Sequence, residues 1–427
     1  MKILMMTNTF TPHVGGVAHS VEAFVSEYRR RGHAVMVVAP EFENMPEDET
    51  DVVRIPAIQH FNGSDFSVVL PLAGSVSSAI EEFGPDVVHS HHPFLIGATA
   101  LRVARQYEIP LVFTHHTMYE QYTHYVPGDS EALKRFVVNL STSYANLCNQ
   151  VFAPSETVAA ILRERGVASP ILVVPTGVDL ERFARGSGAG FRAVLGLPAD
   201  DLVLGHVGRL APEKNLGVLA EAVAAFLARR GSGCFLCVGK GPDDRMIREV
   251  FTRHGVADRL RMPGVLEGDL LVSAYRAMDL FVFTSRSETQ GMVLTEAMAA
   301  GVPVVALDAP GVREVVEDAV NGRLLHGDDV AELGGALAWF AELAPEGRAA
   351  LKTGAARTAQ AFSLTAAADR ALACYAQLLA NNYVDRQEEY TAWSGLLRRI
   401  RTEWDLLRTM AEAAGAASGV QEPEHKA

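Results

Sequence analysis

At 427 residues the chain exceeds what one hydrophobic core usually organises, so two domains of ordinary size are expected. An apolar share of 48% with 21% charged residues fits a globular α/β protein and excludes a disordered or fibrous one. With 38 Lys plus Arg against 51 Asp plus Glu the net charge is −13, which provides no basic field to gather phosphate backbones and excludes nucleic acid as an expected partner.

The chain begins with Lys2 and a short apolar run, a pattern unlike a secretory leader, and no stretch approaches the roughly 20 apolar residues of a spanning helix. Four cysteines, Cys148, Cys234, Cys237 and Cys374, suit a reducing compartment. The expected location is the cytoplasm, with any membrane contact peripheral and at the inner face.

Short apolar runs at Lys2–Thr7, Ala34–Ala39, Asp86–Ser90, Pro110–Thr114, Gln150–Ala153 and Ile171–Val174 read as buried strands. Between the first two, Val17, Val21, Phe24, Val25 and Tyr28 share one face of a helix expected over Val17–Arg31 and stopped by Gly32. Strand, helix and strand in this rhythm predict a parallel sheet. A second series follows the polar, Gly-rich stretch Arg185–Gly190, with strands near Leu202–Val207, Cys234–Val238, Asp279–Thr284 and Val302–Ala306. The expectation is therefore two Rossmann-like domains, 1–182 and 183–365, and a helical tail over 366–427. In that tail Trp393, Leu396, Leu397, Ile400, Trp404 and Leu407 fall at helical spacing among Arg398, Arg399, Arg401 and Arg408. Such a stripe suits packing on the first domain or contact with a membrane surface.

Three loops carry the chemistry. After the first strand, Thr11-Pro12-His13-Val14-Gly15-Gly16-Val17 lets backbone approach a ligand and opens a helix whose first N–H groups can meet an anion, although a Gly-Gly turn alone is also plain turn chemistry. After the first strand of the second half, Gly208-Arg209-Leu210-Ala211-Pro212-Glu213-Lys214-Asn215 carries two cations that can converge on one diphosphate, Arg209 as a planar fork and Lys214 as a point charge. After a later strand, Ser285-Arg286-Ser287-Glu288-Thr289-Gln290-Gly291-Met292-Val293-Leu294-Thr295-Glu296 puts one carboxylate in the loop and another a turn into the helix opening near Gly291. Two such acceptors suit the hydroxyl groups of an extended sugar nucleotide, whereas either alone could be a helix-end acid or a solvated residue.

Together these segments resemble the family-4 retaining glycosyltransferases of GT-B fold. Glu288 and Glu296 meet the Glu-x7-Glu pattern, Gly208 to Lys214 the Gly-Arg-Leu-x-x-x-Lys pattern, and Gly15 with Gly16 the N-terminal Gly-Gly, over roughly residues 1–380. The resemblance implies two Rossmann-like domains facing across a cleft and a C-terminal helix returning to the first. It implies that Arg209 and Lys214 bind the donor diphosphate, Glu288 the transferred sugar and Glu296 the ribose, with Gly16 against the phosphates. Met262, in Arg261-Met262-Pro263-Gly264, lies in the segment whose backbone the resemblance implies to meet the base, and Gly208, Gln290, Gly291, Met292 and Val293 complete the expected donor site. Thr289-Gln290 stands where the family commonly has Gly-Phe, a departure that bears on the sugar's identity.

The segments Val88-His89-Ser90-His91-His92-Pro93-Phe94 and Thr114-His115-His116-Thr117-Met118-Tyr119-Glu120-Gln121-Tyr122-Thr123-His124-Tyr125 are similar to those of bacterial transferases that glycosylate diacylglycerol or phosphatidylinositol. That likeness places His116 at the reacting centre and His13, His92, Tyr119, Tyr122 and His124 on the acceptor side. The implied activity is transfer of a hexose, glucose in the first instance, from a nucleotide diphosphate sugar such as uridine diphosphate glucose to a lipid hydroxyl, with retention. No metal or other cofactor is expected: His89, His91 and His92 lack an acidic or Cys partner at zinc spacing, and Cys234-Phe235-Leu236-Cys237 sits in an apolar strand and not at a helix start. Competing readings are a nucleotide-sugar epimerase of the same fold, a transferase with a non-lipid acceptor, and a nucleotide-sugar-binding subunit.

Overall fold

The structure, a computed structural model, describes residues 1–58, 68–69, 74–121 and 130–385, apart from Val14, Glu47, Ala199 and Ser287, together with Thr402, Asp405, Leu406, Arg408, Thr409, Met410 and Ala413. Its strands in chain order are β1 (Lys2–Met6), β2 (Ala34–Pro40), β3 (Val52–Ile55), β4 (Ala57–Ile58), β5 (Val68–Val69), β6 (Val87–Ser90), β7 (Leu111–Thr114), β8 (Gln150–Ala153), β9 (Ile171–Val173), β10 (Val203–Val207), β11 (Cys234–Val238), β12 (Leu260–Gly264), β13 (Leu280–Phe283), β14 (Val304–Leu307) and β15 (Gly322–Leu325). β4 and β5 pair antiparallel as a small ribbon. The others form two all-parallel sheets, in the orders β3-β2-β1-β6-β7-β8-β9 and β12-β11-β10-β13-β14-β15.

The chain divides into two compact units, Met1–Pro175 with Ala367–Ala427, and Thr176–Ala366. The division after the first sheet thus falls at Pro175, ahead of the expected 182, and the segment from Ala367 counts with the first unit and not as a piece of its own.

In each unit the central strands are largely apolar runs because both faces of the sheet are covered. Ile3, Leu4, Met5 and Met6 are all fully buried. In the second unit Val203, Phe281 and Val304 enter one core cluster while Leu204, Val282 and Val305 enter another, as alternate residues of buried strands must. Cys234 and Cys237 follow the same rule: they enter different clusters, so their thiols lie on opposite faces of the sheet, and burial pushes them up to about 11 and about 12. They are inert core residues and not a redox pair.

The first helix runs Gly16–Arg30, one residue ahead of the expected span at both ends, and Gly32 beyond it takes a left-handed φ of +82°. Arg29, Arg30 and Arg31 at its end are largely engaged: Arg29 donates to the carbonyls of Val35 and Thr50, while Arg30 and Arg31 both pair with Glu27 at 2.7 Å. From the helix Leu364–Asp385, Asp369 pairs with Arg31 and the Tyr375 hydroxyl bonds His89 Nδ1 at 2.6 Å and Tyr28 Oη at 3.4 Å. The tail residues Trp393, Leu396, Leu397, Ile400, Trp404 and Leu407, with Arg398, Arg399 and Arg401, lie outside the described residues. Asp405 pairs with Arg105 at 2.7 Å, and Leu406 packs on the core of the first unit.

Both sheets reverse their order at one place, between β1 and β6 in the first and between β10 and β13 in the second. At such a switch point neighbouring crossovers leave in opposite directions and open a crevice beyond the carboxyl ends of the strands. The anticipated loops sit there: Thr7–Gly15 follows β1, His91–His92 follows β6, Gly208–Asn215 follows β10, and Thr284–Gly291 follows β13.

Candidate functional site

In the second unit the two switch-point loops are bound to each other. Lys214 Nζ donates to Glu288 Oε1 at 2.5 Å, with only 18% and 16% of the two side chains exposed. Beneath this pair Thr284 Oγ1 donates to the carbonyls of Lys214 at 2.9 Å and Asn215 at 3.2 Å. Gly208 and Arg209 lie on the same loop, with Arg209 exposed. A ligand carrying both an anionic group and hydroxyls could offer each partner of this short ion pair a substitute.

The helix after β13 is Met292–Ala299, capped by Gly291 at φ +71° and ψ 52° with no side-chain cap. Gly291 is needed there because an L side chain is strained in the left-handed region. The first backbone N–H groups of the helix, at Met292 and Val293, have no partner within it and can meet an anion. Glu296, one turn on, accepts from the Tyr275 hydroxyl at 2.7 Å, which orients its carboxylate. Burial and that carboxylate hold the Tyr275 phenol well above its usual range, so it stays a donor.

One expected donor-site residue, Gln290, is placed differently. Gln290 is 3% exposed, and its amide spans the backbone of Thr176, accepting from N–H at 2.5 Å and donating to the carbonyl at 2.6 Å. It is a strap that fastens the start of the second unit, so its amide is already spent. The side chain of Met262 in β12 packs against the core, leaving backbone as what that strand offers; Gly239 N–H donates to the Gly264 carbonyl at 2.8 Å.

Sequence reading passed over His206 in β10. Its Nδ1 lies 3.1 Å from the Val282 carbonyl, and among the described residues its buried Nε2 has no hydrogen-bond partner. Burial pushes this imidazole down to about 4.

In the first unit the register Met5↔His89 and Met6↔Ser90 brings the β1 and β6 loops out side by side. His92 Nδ1 accepts from the backbone N–H of Asn8 at 3.1 Å, which joins them. Arg54 on β3, also unforeseen, donates to the carbonyls of Thr11 at 2.6 Å and Pro40 at 2.9 Å and pairs with Glu49 at 2.6 Å, steadying the turn that leads to Gly15 and Gly16. Gly15 caps the Gly16–Arg30 helix without any side-chain bond, and no acid occupies its first turn. His13 stacks on Phe42 with ring centroids 5.6 Å apart.

Behind this turn lies a layer of imidazoles. His89 Nε2 is 2.7 Å from Thr114 Oγ1, its ring is 4.2 Å from that of His91, and His91 Nδ1 lies 2.9 Å from His116 Nε2. Burial pushes His89 and His92 down to about 3 and His115 to about 4, and holds His91 and His116 well below the ordinary imidazole value. All five are neutral at pH 7. Tyr119 packs on Phe94 at 4.8 Å, and among the described residues its buried hydroxyl has no hydrogen-bond partner. Tyr122 and His124 lie outside the described residues. Among the described residues no group of three His, Cys, Asp or Glu side chains is placed to hold a metal, and no helix is long and apolar enough to cross a membrane.

Comparison with known proteins identifies the family. Residues 14–182 match the family described as Glycosyltransferase Family 4, and residues 190–358 match Glycosyl transferases group 1. The chain is 27% identical over 343 residues to an alpha-monoglucosyldiacylglycerol synthase of Streptococcus pneumoniae, covering 79% of this chain and 77% of that one. It is 29% identical to a GDP-mannose-dependent alpha-mannosyltransferase of Corynebacterium glutamicum, over 78% of each chain. With a D-inositol 3-phosphate glycosyltransferase of Actinosynnema mirum the identity is 36%, over 68% of this chain and 72% of the relative. In fold it resembles sucrose-phosphate synthase from Thermosynechococcus elongatus, with a TM-score of 0.72 and 21% identity over 89% of this chain and 99% of that structure. The chain belongs to the family-4 glycosyltransferases of GT-B fold and is a hexosyltransferase.

Proposed function

We propose that the protein transfers glucose from uridine diphosphate glucose to the hydroxyl of a diacylglycerol-like lipid, with retention of anomeric configuration and without a metal. The observation that carries the donor part is the Lys214–Glu288 pair at the β10/β13 switch point, above the uncapped helix at Gly291. Arg209 and Lys214 would neutralise the charge that builds on the departing diphosphate, while Glu288 accepts from hydroxyls of the transferred sugar and Glu296 from the ribose. With two cations on one loop, the leaving group needs no divalent ion for its charge. The glycosidic bond to the diphosphate breaks as the acceptor oxygen bonds to the anomeric carbon, and the acceptor's proton passes to the diphosphate.

The first unit would serve the acceptor, with the neutral imidazoles and the Phe94–Tyr119 edge offering an apolar surface that carries a few polar atoms. The name of the pneumococcal relative supports glucose and a diacylglycerol acceptor. A second reading, a water-soluble cyclitol phosphate as acceptor, is supported by the 36% identity to the inositol phosphate enzyme. Peripheral contact with the inner face of a membrane follows only from the lipid reading.

A donor panel of uridine and guanosine diphosphate hexoses, assayed for nucleotide release with dioleoylglycerol vesicles or with inositol 3-phosphate, decides among these. Uridine diphosphate glucose with the vesicles should give the fastest release and an α-linked glycolipid by mass and NMR analysis, undiminished by a chelator. Release that responds only to inositol 3-phosphate would sink the lipid reading.

A further inference from the structure

The imidazole layer in the first unit holds information about protons that bears on what His116 can do. His91 Nδ1 and His116 Nε2 are 2.9 Å apart, and two neutral rings at that distance share a single proton between those atoms. Only two arrangements satisfy this. If His116 donates from Nε2, His91 must carry its own proton on Nε2. That atom is buried, in a residue 1% exposed, and among the described residues it has no hydrogen-bond partner. If instead His91 donates from Nδ1, its Nε2 is a bare lone pair in the same place.

The two are not equal in cost. Buried N–H groups without an acceptor are rare in folded proteins, whereas a buried acceptor left unpaired is tolerated more often. The neighbouring ring cannot relieve the first arrangement, because His89 is engaged at both nitrogens, by Thr114 Oγ1 at 2.7 Å and by the Tyr375 hydroxyl at 2.6 Å. Nor can the pair escape by taking up a second proton, since burial holds both rings neutral.

We infer that His91 donates its Nδ1–H to Nε2 of His116 and so fixes His116 as the tautomer with its proton on Nδ1, which makes His91 a positioning residue for the transferase site. Among the described residues Nδ1 of His116 has no hydrogen-bond partner. It is therefore presented to ligand as a donor. In that form His116 orients or polarises an oxygen of the sugar or acceptor and does not serve as the base that removes the acceptor's proton. This consequence rests on the proposed function; the tautomer itself does not.

The test uses the full chain labelled with nitrogen-15 in histidine, the His116 signals being identified by their loss in His116→Gln. At pH 7.5 the expected spectrum shows His116 Nδ1 proton-bearing and Nε2 bare. His91→Asn, whose amide N–H can stand where Nδ1–H stood, should keep that pattern and stay within about threefold of parent turnover. His91→Phe should mix the tautomers and lower kcat by about ten- to a hundredfold with the donor KM little changed. A proton on Nε2 of His116 in the parent protein would overturn the assignment, as would Asn and Phe variants alike in both readouts. If no donor and acceptor pair gives turnover, the proposed function fails while the parent spectrum still decides the tautomer. If the Phe variant does not fold, the parent spectrum alone decides the tautomer.

Discussion

The two units use one architectural device, a parallel sheet that reverses order, and equip it in opposite ways. In the second, the crevice is edged by charge: Arg209, Lys214 and Glu288 on loops pinned by Thr284. In the first it is backed by rings that carry none, His89, His91, His92, His115 and His116, kept neutral by burial. The contrast teaches that a switch point supplies geometry while the side chains set there decide the kind of ligand. A diphosphate calls for cations, whereas an uncharged hydroxyl next to an apolar body calls for donors and acceptors with no net charge.

The sharpest way to break this contrast is to remove the charge from the second unit. Arg209→Ala and Lys214→Ala should each lower donor-dependent kcat/KM by about 30-fold to a few thousand-fold, the range of about 2–5 kcal/mol for breaking a desolvated charge contact. Activities within threefold of the parent in both variants would remove the diphosphate role.

Acid should act on the first unit instead. His89, His91 and His115 are buried and their folded-state affinities for protons lie below the ordinary value near 6.5, so stability is present above about pH 6.5 and lost as pH falls toward the folded values. By pH 5.5 His89 and His115 together cost the first unit about 3 kcal/mol, with His91 acting in the same direction, and His206 alone costs the second about 1 kcal/mol. Hydrogen exchange at pH 5.5 and 7.5, corrected for intrinsic rates, should show β6 and β7 losing protection well before β10 and β11. Equal losses in both sheets would contradict the assignment of neutral buried imidazoles to the first.

Tyr375→Phe tests the support of the imidazole layer with the smallest effect. It removes a hydroxyl that bonds His89 and Tyr28, and about 1 kcal/mol of stability should go with it, read as a lower denaturation midpoint. Turnover should fall only slightly, because Thr114 still holds the other nitrogen of His89.

The central strands were legible because burial on both faces turns them into unbroken apolar runs, as in Ile3–Met6. β3, β12 and β15 were not. All three lie at sheet edges, where Arg54, Pro263 and Gly322 interrupt the apolar signal without harm to a strand that is paired on one side only. The switch-point loops were legible in company, since a Gly-Gly turn alone is also plain turn chemistry and it was the three segments following one another at strand ends that marked them. What linear order could not reveal were contacts made by register and folding back: the strap from Gln290 to Thr176, the bond from Tyr375 to His89, and the bond between His91 and His116. Gln290 illustrates the limit, for its place in the Glu-rich loop suggested a ligand while its partner lay 114 positions away.

The path of the chain has a practical consequence. The second unit is one uninterrupted stretch, Thr176–Ala366, and could be excised and expressed by itself, whereas the first is written in two instalments. A gene fragment ending at Pro175 would omit Tyr375, stranding a buried imidazole nitrogen and the Tyr28 hydroxyl in a dry interior. Anyone wishing to study the first unit alone would do better to delete the middle of the message and join its two ends.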